Sequence, residues 1–215
     1  MPSTFPLGRS KPLPFKVILA SQSPRRSELL TMSQIPFTTI VSPFDEATIR
    51  PQKSALGPEA YVTLSASSKA SSITLPPSLS TSPVLIIGAD TVVSHSSQIL
   101  EKPTSPSDAQ SMLTSLSSST HKVYTGISLH LLNVPSPKTL NFTSSTSVTF
   151  SPLTSDDISS YLLTSEPYDK SGSYGIQGIG GQFVERIEGC YYNVMGLPVN
   201  RLMKEINLLA GGVDN

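Results

Sequence analysis

The apolar residues of this chain fall into short runs and helical stripes, separated by breaks rich in Ser, Pro and Gly. Val17, Ile18, Leu19 and Ala20 are continuously apolar, which is the pattern of a strand buried on both faces. Ser21, Gln22 and Ser23 interrupt the run. Pro24 then stands where a helix begins, because its fixed φ and missing N–H are harmless at the first helical position. Ser23 is placed as the cap, and Leu29, Leu30 and Met32 give this helix an apolar side. A second strand is expected over residues 37–41, a loop over 51–58, and a helix over 58–72 with Ala60, Leu64 and Ser67 on one side and Tyr61 nearby. Residues 84–93 (VLIIGADTVV) predict a buried strand interrupted at Gly88-Ala89-Asp90-Thr91. A turn over 94–98 leads back to the sheet through 99–103.

Ser105, Pro106 and Asp108 then open a helix with a near capping box, and Met112, Leu113 and Leu116 form its buried side. Residues 121–126 lead into a strand (ISLHLLN), and a polar connection over 134–138 joins it to an antiparallel, half-exposed partner over 140–150. Ser155 caps a helix over 156–164, with Ile158, Tyr161 and Leu162 inward. A last strand is expected over 183–189. Gly196-Leu197-Pro198 start the terminal helix, where Val199, Leu202, Met203, Ile206 and Leu209 keep i, i+3, i+4, i+7 spacing. The Ser/Pro-rich segments 71–83, 115–120 and 133–147 read as elaborated surface loops. The alternation of strands and helices is that of an α/β protein.

Composition narrows the classes. At 215 residues the chain holds one domain or two small lobes, with residues 1–14 as a disordered leader and 15–212 as a single domain. A net charge of +0 with only 14% charged residues provides no broad basic surface, so neither nucleic acid nor an anionic membrane is expected as a partner. Any phosphate-binding surface must be local. No apolar run approaches the ~20 residues of a membrane span, and no secretory h-region is seen, so a cytoplasmic protein fits. Cys190, the single cysteine, excludes an internal disulfide and a Cys-cluster zinc site, and reads as a small buried hydrophobe.

Three places carry candidate chemistry. Arg25 and Arg26 fall in the first turn of a helix, where the dipole disfavours cations by roughly 0.3–1 kcal/mol each, unless an anion sits beside them. A solvated Arg pair is the plain alternative. Asp90 is a carboxylate in an apolar strand, costly unless paired, hydrogen-bonded or metal-bound. In open α/β sheets such residues gather at strand ends, where ligands bind. Residues 166–181 (EPYDKSGSYGIQGIGG) are too Gly-rich for a helix, and match neither the dinucleotide fingerprint nor a Walker A loop. Gln177, between Gly175 and Gly178, suits reading the edge of a base, though a surface Gln is the default. Asp45, Glu46 and Lys69 taken singly read as turn residues and a solvent-facing lysine.

The segments ASQSPRRSELL, Asp45-Glu46, Lys69-Ala70, GADTVV, EKP, HKVYTG, EPYDKSGSYGIQG and NVMGLP, in this order, resemble the Maf family of nucleoside-triphosphate pyrophosphatases. The resemblance implies a twisted mixed β-sheet with flanking helices, forming two lobes around a deep cleft, and a homodimer. It implies hydrolysis of a nucleoside triphosphate to monophosphate and pyrophosphate with a divalent ion, Mg2+, Mn2+ or Co2+. The Y-G-I-Q-G stretch is similar to that of the branch acting on dTTP, UTP and some modified pyrimidine nucleotides. By the same resemblance Asp90 is the proton acceptor, and Arg25, Thr91 and Gln177 set base specificity. Ser21, Arg26, Lys69 and Lys102 bind phosphates, Lys102 also serving catalysis, and Glu46 assists Asp90 at the metal. Ser171 departs from the Ala common after Asp-Lys. Two alternatives stay open: the same chemistry on a methylated purine triphosphate, and a non-catalytic nucleotide-binding regulator of cell division.

Overall fold

The computed structural model describes residues 11–213, so residues 1–10 of the expected leader lie outside the described residues. The strands are β1 (Lys16–Ala20), β2 (Phe37–Thr39), β3 (Val84–His95), β4 (Gln98–Leu100), β5 (Thr120–Leu132), β6 (Lys138–Phe150) and β7 (Val184–Glu188). The helices are α1 (Pro24–Met32), α2 (Lys53–Ser71), α3 (Pro106–Leu116), α4 (Ser155–Leu162), α5 (Tyr191–Met195) and α6 (Val199–Gly211). The strands form one seven-stranded sheet in the order β2-β1-β3-β5-β6-β7, with β4 paired to β3. β1 runs parallel to β2 and β3, and the remaining pairs are antiparallel, so the sheet is mixed. No helix among the described residues is long and apolar enough to cross a membrane.

The register sets the site. Ala20 pairs with Gly88, so the chain leaving β1 at Ser21 emerges beside Asp90 and Thr91. One apolar layer joins α1 and α6 to the sheet through Leu29, Leu30, Leu85, Ile87, Leu129, Leu202 and Ile206. A second surrounds Phe150, with Leu113, Leu116, Ile158, Tyr161 and Tyr174. α2 lies directly on bare backbone: a Cβ added at Gly88 would fall 2.1 Å from the Ala66 carbonyl oxygen, and one at Gly126 2.5 Å from that of Val62. Only glycine allows so close an approach.

Several expectations are corrected by this packing. The inner face of α2 is Tyr61, Val62, Ser65, Ala66, Lys69 and Ala70, because small residues must meet the bare strands; Ala60 is exposed. Residues 53–56 already form a helical turn rather than a loop, and Gly57 (φ 72, ψ 170) breaks the path before Pro58 restarts it. β3 is not interrupted at Gly88–Thr91, since β5 pairs with it from Val84↔Leu132 to Ser94↔Lys122. Most of 133–147 is strand, paired with β5, and not a surface loop. The first expected second strand stops at Thr39. Ser23 makes no side-chain cap; its N–H instead donates to Ser21 Oγ at 3.2 Å. Thr154, not Ser155, caps α4 in a reciprocal box with Asp157. Gly196 closes the short α5 in a left-handed conformation (φ 111), so the terminal helix starts only at Val199. Cys190 is half-buried, its N–H and carbonyl both bonded to Thr146 Oγ1.

Candidate active site

Ser21, Arg25, Arg26, Glu46, Lys69, Asp90, Thr91, Lys102 and Gln177, the nine expected site residues, all line one cleft of about 440 Å³. They arrive from the end of β1, the first turn of α1, a 3₁₀ turn after β2, the last turns of α2, the middle of β3, the exit of β4 and the Gly-rich segment.

Arg26 is only 8% exposed and ties three of these pieces to one another and to Gly196 at the end of α5. Its Nε donates to the Gly196 carbonyl (2.9 Å), Nη1 to Ser21 Oγ (3.1 Å) and Nη2 to Thr91 Oγ1 (3.0 Å). A guanidinium carries five N–H, so these bonds leave two unspent at the cleft. Burial lowers its pKa, and the nearby Asp90 carboxylate opposes that shift; arginine stays charged in proteins regardless. A desolvated cation with spare donors beside a free helix N-terminus is a site for phosphate oxygens. Arg25 points elsewhere, to Asp169 Oδ2 at 3.0 Å, and so bridges α1 to the Gly-rich segment.

Lys69 is the largest surprise of the site. Rather than facing solvent it is 8% exposed. Its Nζ lies 2.8 Å from Asp90 Oδ1 and 2.7 Å from Glu46 Oε1. Gly88 and Gly126 let α2 come close enough for this contact. Glu46 does sit in a turn, as Asp45 does by accepting the Ala47 N–H, but its side chain reaches Lys69. Two carboxylates converging on one ammonium form a pocket whose field favours a cation. Asp90 and Glu46 are hard oxygen donors, and one or two carboxylates plus substrate phosphates is the usual way Mg2+ is held. The donor set therefore fits a divalent ion, and among the described residues no cluster of three or more His, Cys, Asp or Glu side chains competes with it.

The Gly-rich segment winds through 3₁₀ turns at Glu166–Asp169, Ser171–Ser173 and Ile179–Phe183. Glu166 is its organiser. Its carboxylate accepts the N–H groups of Ile179 and Gly180 and the Tyr161 hydroxyl, each at 2.9 Å. Partial burial pushes this carboxyl upward, but those donors outweigh it and hold the pKa below the usual value. A Cβ at Gly178 would strike Glu166 Oε2 at 2.1 Å, so the glycine is what lets the loop close on the carboxylate. Gln177 is thereby held exposed at the rim of the cleft. Ser171 donates to the Thr91 carbonyl at 2.8 Å, so this departure from Ala fastens the loop to β3.

Lys102 is exposed at the cleft and makes no ion pair among the described residues. Beside it Glu101 gathers Arg50 and Lys53, both at 3.3 Å, and the Tyr61 hydroxyl at 2.8 Å. Sequence reasoning passed over Glu166, Asp169, Glu101, Thr125 and Asn193. Glu166 and Asp169 lie inside the Gly-rich stretch and could have been found as acids with no helix to serve. Thr125 and Asn193 lie within the HKVYTG and NVMGLP segments, but nothing in those segments singles out a buried hydroxyl or amide behind the site.

The family model described as Maf-like protein matches residues 16–209. The dTTP/UTP pyrophosphatase of Clostridium perfringens is 48% identical over 191 residues, which cover 89% of this chain and 95% of that protein. The dTTP/UTP pyrophosphatase of Bacillus thuringiensis subsp. konkukian is 44% identical over 191 residues, again 89% of this chain and 94% of its own length.

Proposed function

The chain belongs to the Maf family, and from that premise we propose that it hydrolyses dTTP and UTP to the monophosphate and pyrophosphate. The observation that carries this reading is the meeting of Asp90, Lys69 and the buried Arg26 in one cleft. Water attacks phosphorus, the bond between the α- and β-phosphates breaks, and pyrophosphate leaves. Asp90 takes the proton of the water. Lys69 engages its Oδ1 and holds the carboxylate aimed, as a general base requires. Arg26, Ser21, Lys102 and the third N–H of Lys69, the one not spent on the two carboxylates, bind the phosphate oxygens and stabilise the charge that spreads over them. Asp90 and Glu46 would hold a divalent ion, Mg2+, Mn2+ or Co2+, which when bound screens the phosphate charge. Gln177, Thr91 and Arg25 read the pyrimidine, and modified pyrimidine nucleotides fall within the same pocket chemistry.

The proposal extends to a cytoplasmic homodimer, as the family resemblance implies; sedimentation equilibrium of the purified chain tests the pairing. The reaction itself is tested by a panel of nucleoside triphosphates, assayed for pyrophosphate release with and without Mg2+. Fastest release from dTTP and UTP is expected, only with the ion. Preference for a methylated purine would move the substrate, and nucleotide affinity without turnover would replace the enzyme by a nucleotide-binding regulator.

A further inference from the structure

Thr91 and Thr125 are directly opposite each other in the β3–β5 ladder, and their hydroxyls are 2.9 Å apart. Either could donate to the other if the pair stood alone. It does not. Thr125 is fully buried, and its hydroxyl donates to the Asn193 carbonyl at 3.0 Å. A carbonyl can only accept, and a hydroxyl has one proton, so that proton is spent. Thr91 must therefore be the donor to Thr125. One lone pair of Thr91 Oγ1 already takes the Arg26 Nη2–H at 3.0 Å. What remains toward the cleft is a single lone pair.

The far end of this relay is well anchored. Asn193 has no exposed surface, and its side-chain amide donates to the Val123 carbonyl at 3.0 Å and to Thr146 Oγ1 at 3.1 Å. The carbonyl that sets the direction therefore has little freedom to move. On the other side of Arg26 the same accounting gives the opposite result. Ser21 Oγ accepts from the Ser23 N–H at 3.2 Å and from Arg26 Nη1 at 3.1 Å, so its proton is the part left free. Arg26 thus stands between a hydroxyl that can only give and one that can only receive. The first suits a phosphate oxygen; the second suits an N–H.

We propose that Thr125 is a positioning residue: it fixes the Thr91 hydroxyl as an acceptor, and Thr91 then selects the imide N3–H that uracil and thymine carry and cytosine lacks. This rests on the assignment of Thr91 to base reading. Cytosine brings a lone pair to N3, which would face the lone pair of Thr91. In Thr125→Val the shape is kept but the acceptor for Thr91 is gone, so the Thr91 proton can turn to the ligand and serve cytosine.

The test is the ratio of kcat/KM for UTP over CTP. Thr125→Val is expected to lower this ratio by about tenfold or more, the scale of one misdirected buried hydrogen bond, chiefly through KM. Thr125→Ser restores the relay and is expected to return the ratio to within about twofold of the unaltered protein. A merely structural Thr125 would lower the melting temperature in Thr125→Val and leave the ratio unchanged, which overturns the inference. The unaltered protein gives a second measurement that needs no variant. N3-methyl-UTP lacks the proton and is expected to be turned over at least about tenfold less efficiently than UTP; equal efficiency also overturns the inference. If the unaltered protein does not prefer UTP to CTP at all, the base-reading assignment fails first, and this inference falls with it.

Discussion

Asp90 and Lys69 illustrate how a residue's chemistry is decided by its neighbours. Asp90 was legible alone, because a carboxylate in VLIIGADTVV has no cheap apolar explanation. Lys69 was not, because a lysine late in a helix is ordinarily solvated, and only the close approach of α2 to the sheet turns it inward. Removing the base while keeping shape separates chemistry from binding. Asp90→Asn is expected to lower kcat by about 10²–10⁴ and leave nucleotide affinity, measured by calorimetry, nearly intact. Gln177 is exposed at the cleft rim, so Gln177→Ala should leave the fold undisturbed. It is expected to change the ranking of dTTP and UTP against CTP and GTP by about tenfold, with pyrophosphate inhibition unaltered. An unchanged ranking would remove Gln177 from base reading.

At the scale of elements, α2 is positioned by what the strands beneath it lack. Gly88→Ala would drive a methyl to 2.1 Å from the Ala66 carbonyl oxygen, and the helix must lift to relieve it. A loss of about 1–3 kcal/mol in denaturant titration is expected, together with a fall in kcat as Lys69 withdraws from Asp90. Stability lost without any effect on kcat would show that the helix yields elsewhere. The Gly-rich segment offers a pH-dependent counterpart. The folded pKa of Glu166 lies below its usual 4.5, so the unfolded chain binds the proton first. Its contribution is fully present above about pH 4.5 and is lost as pH falls through the folded value. Glu166→Gln is expected to be less stable than the parent at neutral pH, with the gap narrowing as pH falls below 4.5; a gap independent of pH would contradict that role. Elements with strong periodic patterns, such as α3 and α6, were legible in sequence. α5 was not, because five residues hold too short a period to register, and neither was the inner face of α2, because its small residues carry the packing.

For the whole molecule, the expected site residues line one cleft because the end of β1, the start of α1, the last turns of α2 and the middle of β3 meet there. Less legible was the buried polar order behind the site. His121 is 2% exposed on β5, bonded through Nε2 to the Tyr174 hydroxyl at 2.8 Å, with Nδ1 unpartnered among the described residues. Burial, reinforced by His95, lowers its pKa to about 3 from 6.5. The unfolded chain therefore takes up this proton first, and the neutral ring contributes stability that is complete above pH 6.5 and is lost as pH falls toward 3. Unfolding free energy should drop by a few kcal/mol, on the order expected for such a shift, across that window. His121→Leu should show a shallower slope, whatever its absolute stability; identical slopes would assign the acid sensitivity to other groups.

The two open borders of the sheet differ in how they are guarded. β2 has only three residues, while β7 presents Glu185, Arg186 and Glu188 as exposed charges beside a register shift at Thr149/Phe150. A short strand on one side and a charged, kinked one on the other give an incoming chain little ladder to zip onto. Concentrated solutions of this protein should accordingly resist fibre growth, and neutralising the β7 charges would be the quickest way to lose that resistance.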